Sequence, residues 1–121
     1  SYTHDGSEIK SNFLYCTPGS SLDELINFYK IEKPKYLKID VDGIEHLILE
    51  GASDHLDNSK IRSISVELNE NFKVQVNSVL KIMDKFNFRF KHKKHASMFD
   101  NSDKFSPQTS LIFKFVRNPS F

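Results

Sequence analysis

Five side chains in this sequence have the types and spacing to do chemistry. Asp40, Asp42 and Glu45 fall around one glycine, Gly43, in the stretch Lys38-Ile39-Asp40-Val41-Asp42-Gly43-Ile44-Glu45-His46, and Glu67 lies further along. A carboxylate held next to a hydroxyl can orient it or take its proton as a general base. Asp42, Glu45 and His46 also form Asp-x-x-Glu-His, a spacing that can present two oxygens and a nitrogen to one divalent cation. Each group has a plainer reading. One aspartate can cap the helix that follows, Glu45 can complement that helix's positive end, and His46 can be exposed. Glu67 can be the hydrogen-bonded partner of Lys38 or of a loop amide.

These groups need a strand to bring them to one place. Tyr36, Leu37, Ile39 and Val41 are the residues of a strand inside a packed sheet. If the strand persists, Asp40 and Asp42 share one of its faces. Gly43 permits a tight turn. Ile44, Leu47 and Ile48 then recur at helical spacing, which predicts a helix to about Leu56. Gly51-Ala52 within it either lets the helix pack closely against the sheet or breaks it. Ile61, Ile64, Val66 and Leu68 predict a second strand, with Glu67 at its carboxyl end. Ligands of open α/β sheets bind beyond the carboxyl ends of strands, where these acids fall.

The rest of the chain frames that unit. Asp5-Gly6-Ser7 signals a turn, and 12–16 reads as a short strand. Ser21 and Glu24 have capping-box spacing before an apolar face of Leu22, Leu25, Ile26 and Tyr29, and Pro34 ends that segment. Asp57-Asn58-Ser59 is a loop. Val76, Val79, Leu80, Met83 and Phe86 give a third amphipathic helix. Phe88 and Phe90 alternate with Arg89 and Lys91 in a half-exposed strand. Residues 95–108 are a polar loop, and Leu111, Phe113 and Phe115 alternate in a last strand that pairs with the 87–92 strand as an antiparallel hairpin. The order is helix, strand, helix, strand, helix, strand, strand, which argues for α/β architecture with a parallel sheet and a closing antiparallel pair. The run from Arg89 to His95 either touches an anionic substrate or RNA, or guards a sheet edge with lysines.

Length and composition narrow the class. The chain has 121 residues, 38% of them hydrophobic and eleven of them Phe, enough for one domain with a real core. It divides into an irregular lead-in at 1–20, an α/β core at 21–116 and a tail at 117–121. A formal net charge of +1 gives no global case for nucleic acid or an anionic membrane. No apolar run approaches a membrane span, and the polar start shows no signal peptide. A single cysteine, Cys16, excludes an internal disulfide and reads as a small buried hydrophobe, which favours a reducing, cytoplasmic setting. The sequence has no initiator Met and reads as an excised piece of something longer.

Residues 37–45 resemble the signature of FkbM-type methyltransferases, Lys-Ile-Asp-Val-Glu-Gly-x-Glu followed by a Leu and a Gly-Ala pair. Leu49, Gly51 and Ala52 sit where that continuation expects them. Ser21-Leu22-Asp23-Glu24-Leu25 resembles the family's segment before the signature strand, and Ile64-Ser65-Val66-Glu67 its next strand. The departure is Asp42 for the usual Glu, which keeps the charge and shortens the reach by one methylene. The resemblance covers roughly residues 13–70. It implies a class I, Rossmann-like fold and transfer of a methyl group from S-adenosylmethionine to a hydroxyl oxygen of a sugar or other small molecule. It implies catalytic roles for Asp40, Asp42 and Glu45, with Asp40 also facing the cofactor and Glu67 and His46 facing the substrate. The glycine-rich cofactor turn of such folds is missing, since the four glycines, Gly6, Gly19, Gly43 and Gly51, make no Gly-x-Gly. The chain therefore resembles the C-terminal half of the catalytic domain.

Two other readings compete. Ile39-Asp40-Val41-Asp42-Gly43 also resembles the Asp-x-Asp-Gly motif of haloacid-dehalogenase-type, Mg²⁺-dependent phosphatases. There the later acid pair is echoed only by Asp100 and Asp103, and Ile44 stands where Thr or Val is usual. Alternatively, the chain is a non-catalytic interaction module that associates with itself or a partner through an uncovered sheet edge.

Overall fold

A four-stranded mixed sheet carries the site, with strand order β1-β2-β4-β3. The computed structural model describes residues 14–57, 60–95 and 110–119. The Asp5-Gly6-Ser7 turn, Asn58-Ser59 and residues 96–108 of the polar loop lie outside the described residues. The elements run α1 (Leu22–Asn27), β1 (Tyr36–Ile39), α2 (Glu45–Glu50), α3 (Ser53–Leu56), β2 (Ser63–Asn69), α4 (Lys73–Lys85), β3 (Phe88–His95) and β4 (Ser110–Arg117). β1 and β2 are parallel because the α2–α3 crossover returns the chain to the same end of the sheet. β4 is antiparallel to both β2 and β3, so it alone runs against the other three strands.

Side-chain alternation sorts the sheet into two unlike faces. Ile64 lies opposite Phe115, Val66 opposite Phe113 and Leu68 opposite Leu111. All six are buried, and Val79 and Met83 of α4, with Phe86 at its C-cap, complete the same core. The α4 stripe is therefore as its periodicity predicts, although Leu80 lies at the rim. The opposite face carries Ser63, Ser65, Glu67 and Asn69, set against Val116, Lys114, Ile112 and Ser110. β3 is an edge strand and runs to His95, beyond the predicted end at 92, with a bulge between Phe90 and His92. Its cations at Arg89, Lys91, Lys93 and Lys94 are exposed, as expected of a strand protected against edge pairing. Phe90 contributes to packing through tilted contacts with Phe113 and Phe115.

The structure departs from the sequence pattern in three further places. α1 has the predicted capping box at Ser21 and Glu24 but stops at Asn27, well before Pro34. Lys30 takes a positive φ of 58°, and Tyr29 falls outside the helix and is 63% exposed. The predicted 44–56 helix is two helices broken at Gly51-Ala52. The break also permits close packing, against α1 rather than the sheet, because a Cβ on Gly51 would sit 3.2 Å from Ser21 Cβ. Residues 14–16 are irregular rather than a strand, and Cys16 is exposed rather than buried; 12 and 13 lie outside the described residues.

Asp23 explains how the break is stabilised. α3 has no side-chain cap of its own. The Asp23 carboxylate supplies one from α1, accepting from the Asp54 amide at 2.9 Å, the His55 amide at 3.2 Å and His55 Nδ1 at 2.7 Å. Its own amide donates to Gly51 O at 3.1 Å. Asp23→Ala removes a cap and leaves the buried His55 ring without its partner, so a loss of about 2 kcal/mol is expected. Urea unfolding of the two proteins measures it, and a loss below about 0.5 kcal/mol would show that the cap is dispensable.

Candidate active site

The turn after β1 has a geometry that differs from a persisting strand. β1 ends at Ile39, Asp42 has a φ of 22° and Gly43 a φ of 110°. Asp40 and Asp42 therefore do not share a strand face. They meet because the chain bends back. A pocket at the carboxyl ends of β1 and β2 is lined by Asp40, Asp42, Glu45 and Glu67, with Gly43, Asn69, Gln75 and Ser110. Its volume is about 30 Å³, room for a water or two rather than for an organic ligand.

Two buried side chains lock the bend. The Gly43 amide donates to both Glu45 carboxylate oxygens, at 3.3 and 3.2 Å. The Gly43 carbonyl accepts from Gln75 Nε2 on α4. Glu45 and Gln75 are 4% and 7% exposed. Both polar ends of one peptide position are thus held by groups that have lost their water, so the turn is rigid. The N-cap position of α2 is Ile44, with no side-chain cap, and Glu45 reaches back to Gly43 instead.

Glu67 faces Asp40, and of its two plainer readings, a bond to Lys38 or to a loop amide, the first is not what forms, since its side-chain hydrogen bond is to Asp40. Lys38 Nζ lies 3.7 Å from Asp40 Oδ2. The Glu67 carboxyl is pushed above its ordinary value, first by burial, then by its hydrogen bond to Asp40 and the Asp40 charge, with Asp42 adding to the rise and Lys38 opposing it. Glu67 therefore keeps its proton to higher pH when folded than when unfolded. Its contribution to stability is complete below the ordinary glutamate value of 4.5 and is lost as pH rises through the raised folded value. Glu67→Gln keeps a donor toward Asp40 and cannot ionise. The expected result is a melting temperature that gains on wild type as pH rises above the ordinary glutamate value of 4.5. Thermal melts on both sides of that value check it, and a pH-independent difference would contradict the raised value.

His46 goes elsewhere. It turns toward the start of α4, beside Phe72, Lys73, Gln75 and Ser78. Its Nδ1 is buried and has no hydrogen-bond partner among the described residues. Asp42, Glu45 and His46 are thus not brought to one point, and among the described residues no group of three His, Cys, Asp or Glu is placed to hold a metal ion. Three pocket residues escape the sequence reading. Asn69 has a signal, since it is two residues beyond Glu67 and shares its face. Gln75 has one too, as a polar residue one turn before Val79 in an apolar stripe. Ser110 has none, because only the Asn69–Ser110 register places it there.

The fold and pocket together define a mixed α/β domain with a carboxylate-lined site beyond the ends of its parallel strands. The methyltransferase FkbM domain matches residues 17–90, and the chain belongs to that family. That match takes in Asp40, Asp42, Glu45, Glu67 and Gln75. No curated protein and no solved structure matches the chain. Among the described residues, no helix is long and apolar enough to cross a membrane.

Proposed function

We propose that this chain forms the C-terminal part of an S-adenosylmethionine-dependent O-methyltransferase with a Rossmann-like sheet, acting on a hydroxyl of a sugar or other small molecule. The observation that carries the reading is the placement of Asp40 beside Glu67 in a rigid pocket at the ends of two parallel strands, inside the matched family segment. The parallel β1–β2 pair with a helical crossover, and β4 antiparallel at the closing end, support the sheet type. Among the described residues β1 pairs on one side only, and further strands would extend the sheet there.

The residues present suit one end of the cofactor. A cluster of carboxyl groups complements a positive sulfonium, whereas a pocket of about 30 Å³ cannot seat a nucleoside. Asp40, Asp42 and Glu67 would lie at the reacting end. Bound S-adenosylmethionine supplies an electrophilic methyl group. Asp40 then orients the acceptor hydroxyl and takes its proton. While protonated, Glu67 donates to Asp40 and fixes its rotamer, and Glu45 and Gln75 hold the Gly43 turn on which Asp40 and Asp42 depend. The phosphatase alternative gains no support, and Asp100 and Asp103 lie outside the described residues.

Calorimetry with S-adenosylmethionine and S-adenosylhomocysteine, on this chain and on the full gene product, tests the reading. Binding by the full product, with weak or no binding by this chain, is the expected pattern. Binding by neither would sink it and favour an interaction module.

A further inference from the structure

The opposite end of the same strands carries the reverse charge. A cleft of about 490 Å³ opens at the amino ends of β1 and β2, within the size range of small-molecule sites. Lys30, Lys33, Lys35, Lys60 and Arg62 line it, against one carboxylate, Glu32. Ile26, 7% exposed, and Ile31 supply its apolar wall. In a chain of formal net charge +1, this is a strong local excess. Like charges gathered along one concave surface focus a positive potential there, which raises the local concentration of small anions.

The backbone builds this cleft. The Lys35 carbonyl accepts from the Arg62 amide at 2.7 Å and the Ser63 amide at 3.3 Å, which sets the entries of β1 and β2 side by side. Lys30, with its φ of 58°, turns the chain after α1, and the Ile31 amide donates back to Leu25 O at 3.4 Å. Lys35 precedes the first residue of β1 and Asp40 follows the last, so the two sites lie roughly 15 Å apart along the strand. The carboxylate pocket therefore does not account for the cations.

We infer that the cleft lined by Lys30, Lys33, Lys35, Lys60 and Arg62 is a second binding site, for a small phosphate-bearing polyanion. Concavity favours a small ligand over an extended polymer, and the isoleucine wall fits an organic body behind the phosphates. Arg62 offers a planar fork for phosphate oxygens and the lysines offer point charges. The site stands independently of the methyltransferase reading.

Inorganic pyrophosphate is the probe, titrated into this chain by calorimetry and by two-dimensional amide NMR at about 20 mM and about 150 mM salt. Saturable 1:1 binding is expected, weaker at high salt and several-fold tighter than sulfate, with shifts centred on residues 30–35 and 60–62. Lys35→Glu with Arg62→Glu is expected to weaken it at least tenfold, while Lys81→Glu on the exposed side of α4 leaves it unchanged. If the double variant does not fold by circular dichroism, Lys30→Gln with Lys33→Gln is read the same way and is expected to weaken binding about threefold or more. No saturable binding at low salt, equal affinity for sulfate, or equal affinity in a folded cleft variant overturns the inference. So does tight binding of oligodeoxythymidylate that pyrophosphate fails to displace, which would make the surface a nucleic-acid contact.

Discussion

Asp40→Asn in the full gene product is expected to lower kcat for methyl transfer by roughly 10²–10⁴-fold, the span typical of losing a positioned general base. Asparagine keeps the shape and one acceptor oxygen but cannot take a proton. The effect is expected in kcat rather than KM, because the side chain acts as the proton leaves. Folding gives no competing explanation. The Asp40 side chain is 47% exposed and its Lys38 contact is 3.7 Å long, a surface ion pair that contributes at most about 1 kcal/mol. Thermal melts and S-adenosylhomocysteine affinity should therefore stay close to wild type while turnover collapses. A variant with near-normal kcat would remove Asp40 from the chemistry. Glu67→Gln provides the contrast. It leaves Asp40 with a donor, so its turnover falls less.

Arg117→Met is expected to cost about 3 kcal/mol and lower the melting temperature by roughly 10 °C, the largest stability effect foreseen here. Arg117 ends β4 although the sequence pattern leaves it in the tail. Its guanidinium donates from Nε to Ile61 O at 2.7 Å, from Nη2 to Leu56 O at 2.6 Å and from Nη1 to Phe86 O at 3.2 Å. It also stacks over the Phe88 ring at 4.2 Å. One side chain thus ties the end of α3, the approach to β2, the end of α4 and the start of β3. Burial lowers the guanidinium's proton affinity and Arg62 adds to that, with Asp57 opposing. Methionine fills much of the volume but leaves three carbonyls without their charged donor. Lysine retains the charge but not the fork, so Arg117→Lys recovers only part of the loss. Chemical denaturation of the three proteins measures the series. A cost for Arg117→Met below about 1 kcal/mol would show that water replaces the guanidinium.

The elements with strong periodicity were legible in the sequence. Ile64, Val66 and Leu68 specify β2, Leu111, Phe113 and Phe115 specify β4, and Val79, Met83 and Phe86 specify the buried stripe of α4, because burying one face imposes a period. Elements decided by one or two backbone angles were not legible. α1 stops at Asn27 because Lys30 turns with positive φ, which the pattern of Leu22, Leu25, Ile26 and Tyr29 does not announce. The 44–56 helix breaks because Asp23, about thirty residues upstream, supplies a second N-terminus with its cap. Cys16 and Tyr29 are exposed because, among the described residues, no packed element covers them.

For the candidate site, residue types and strand ends were enough to gather the carboxylates at one end of the sheet. The motif around Gly43, the later Glu67 and the family resemblance placed carboxylates beyond the ends of parallel strands, since acids at that position serve no core. Only the tertiary structure decided their contacts. It withdrew Glu45 into a hydrogen-bonded clamp with Gln75, turned His46 toward α4, and set Glu67 against Asp40. Those outcomes depend on distances between residues from different elements, which packing fixes and local sequence does not. The cationic cleft at the other end is of the same kind. Lys35, Lys60 and Arg62 are ordinary surface residues when read singly, and they become a site only when the parallel pairing of β1 and β2 brings their amino ends together.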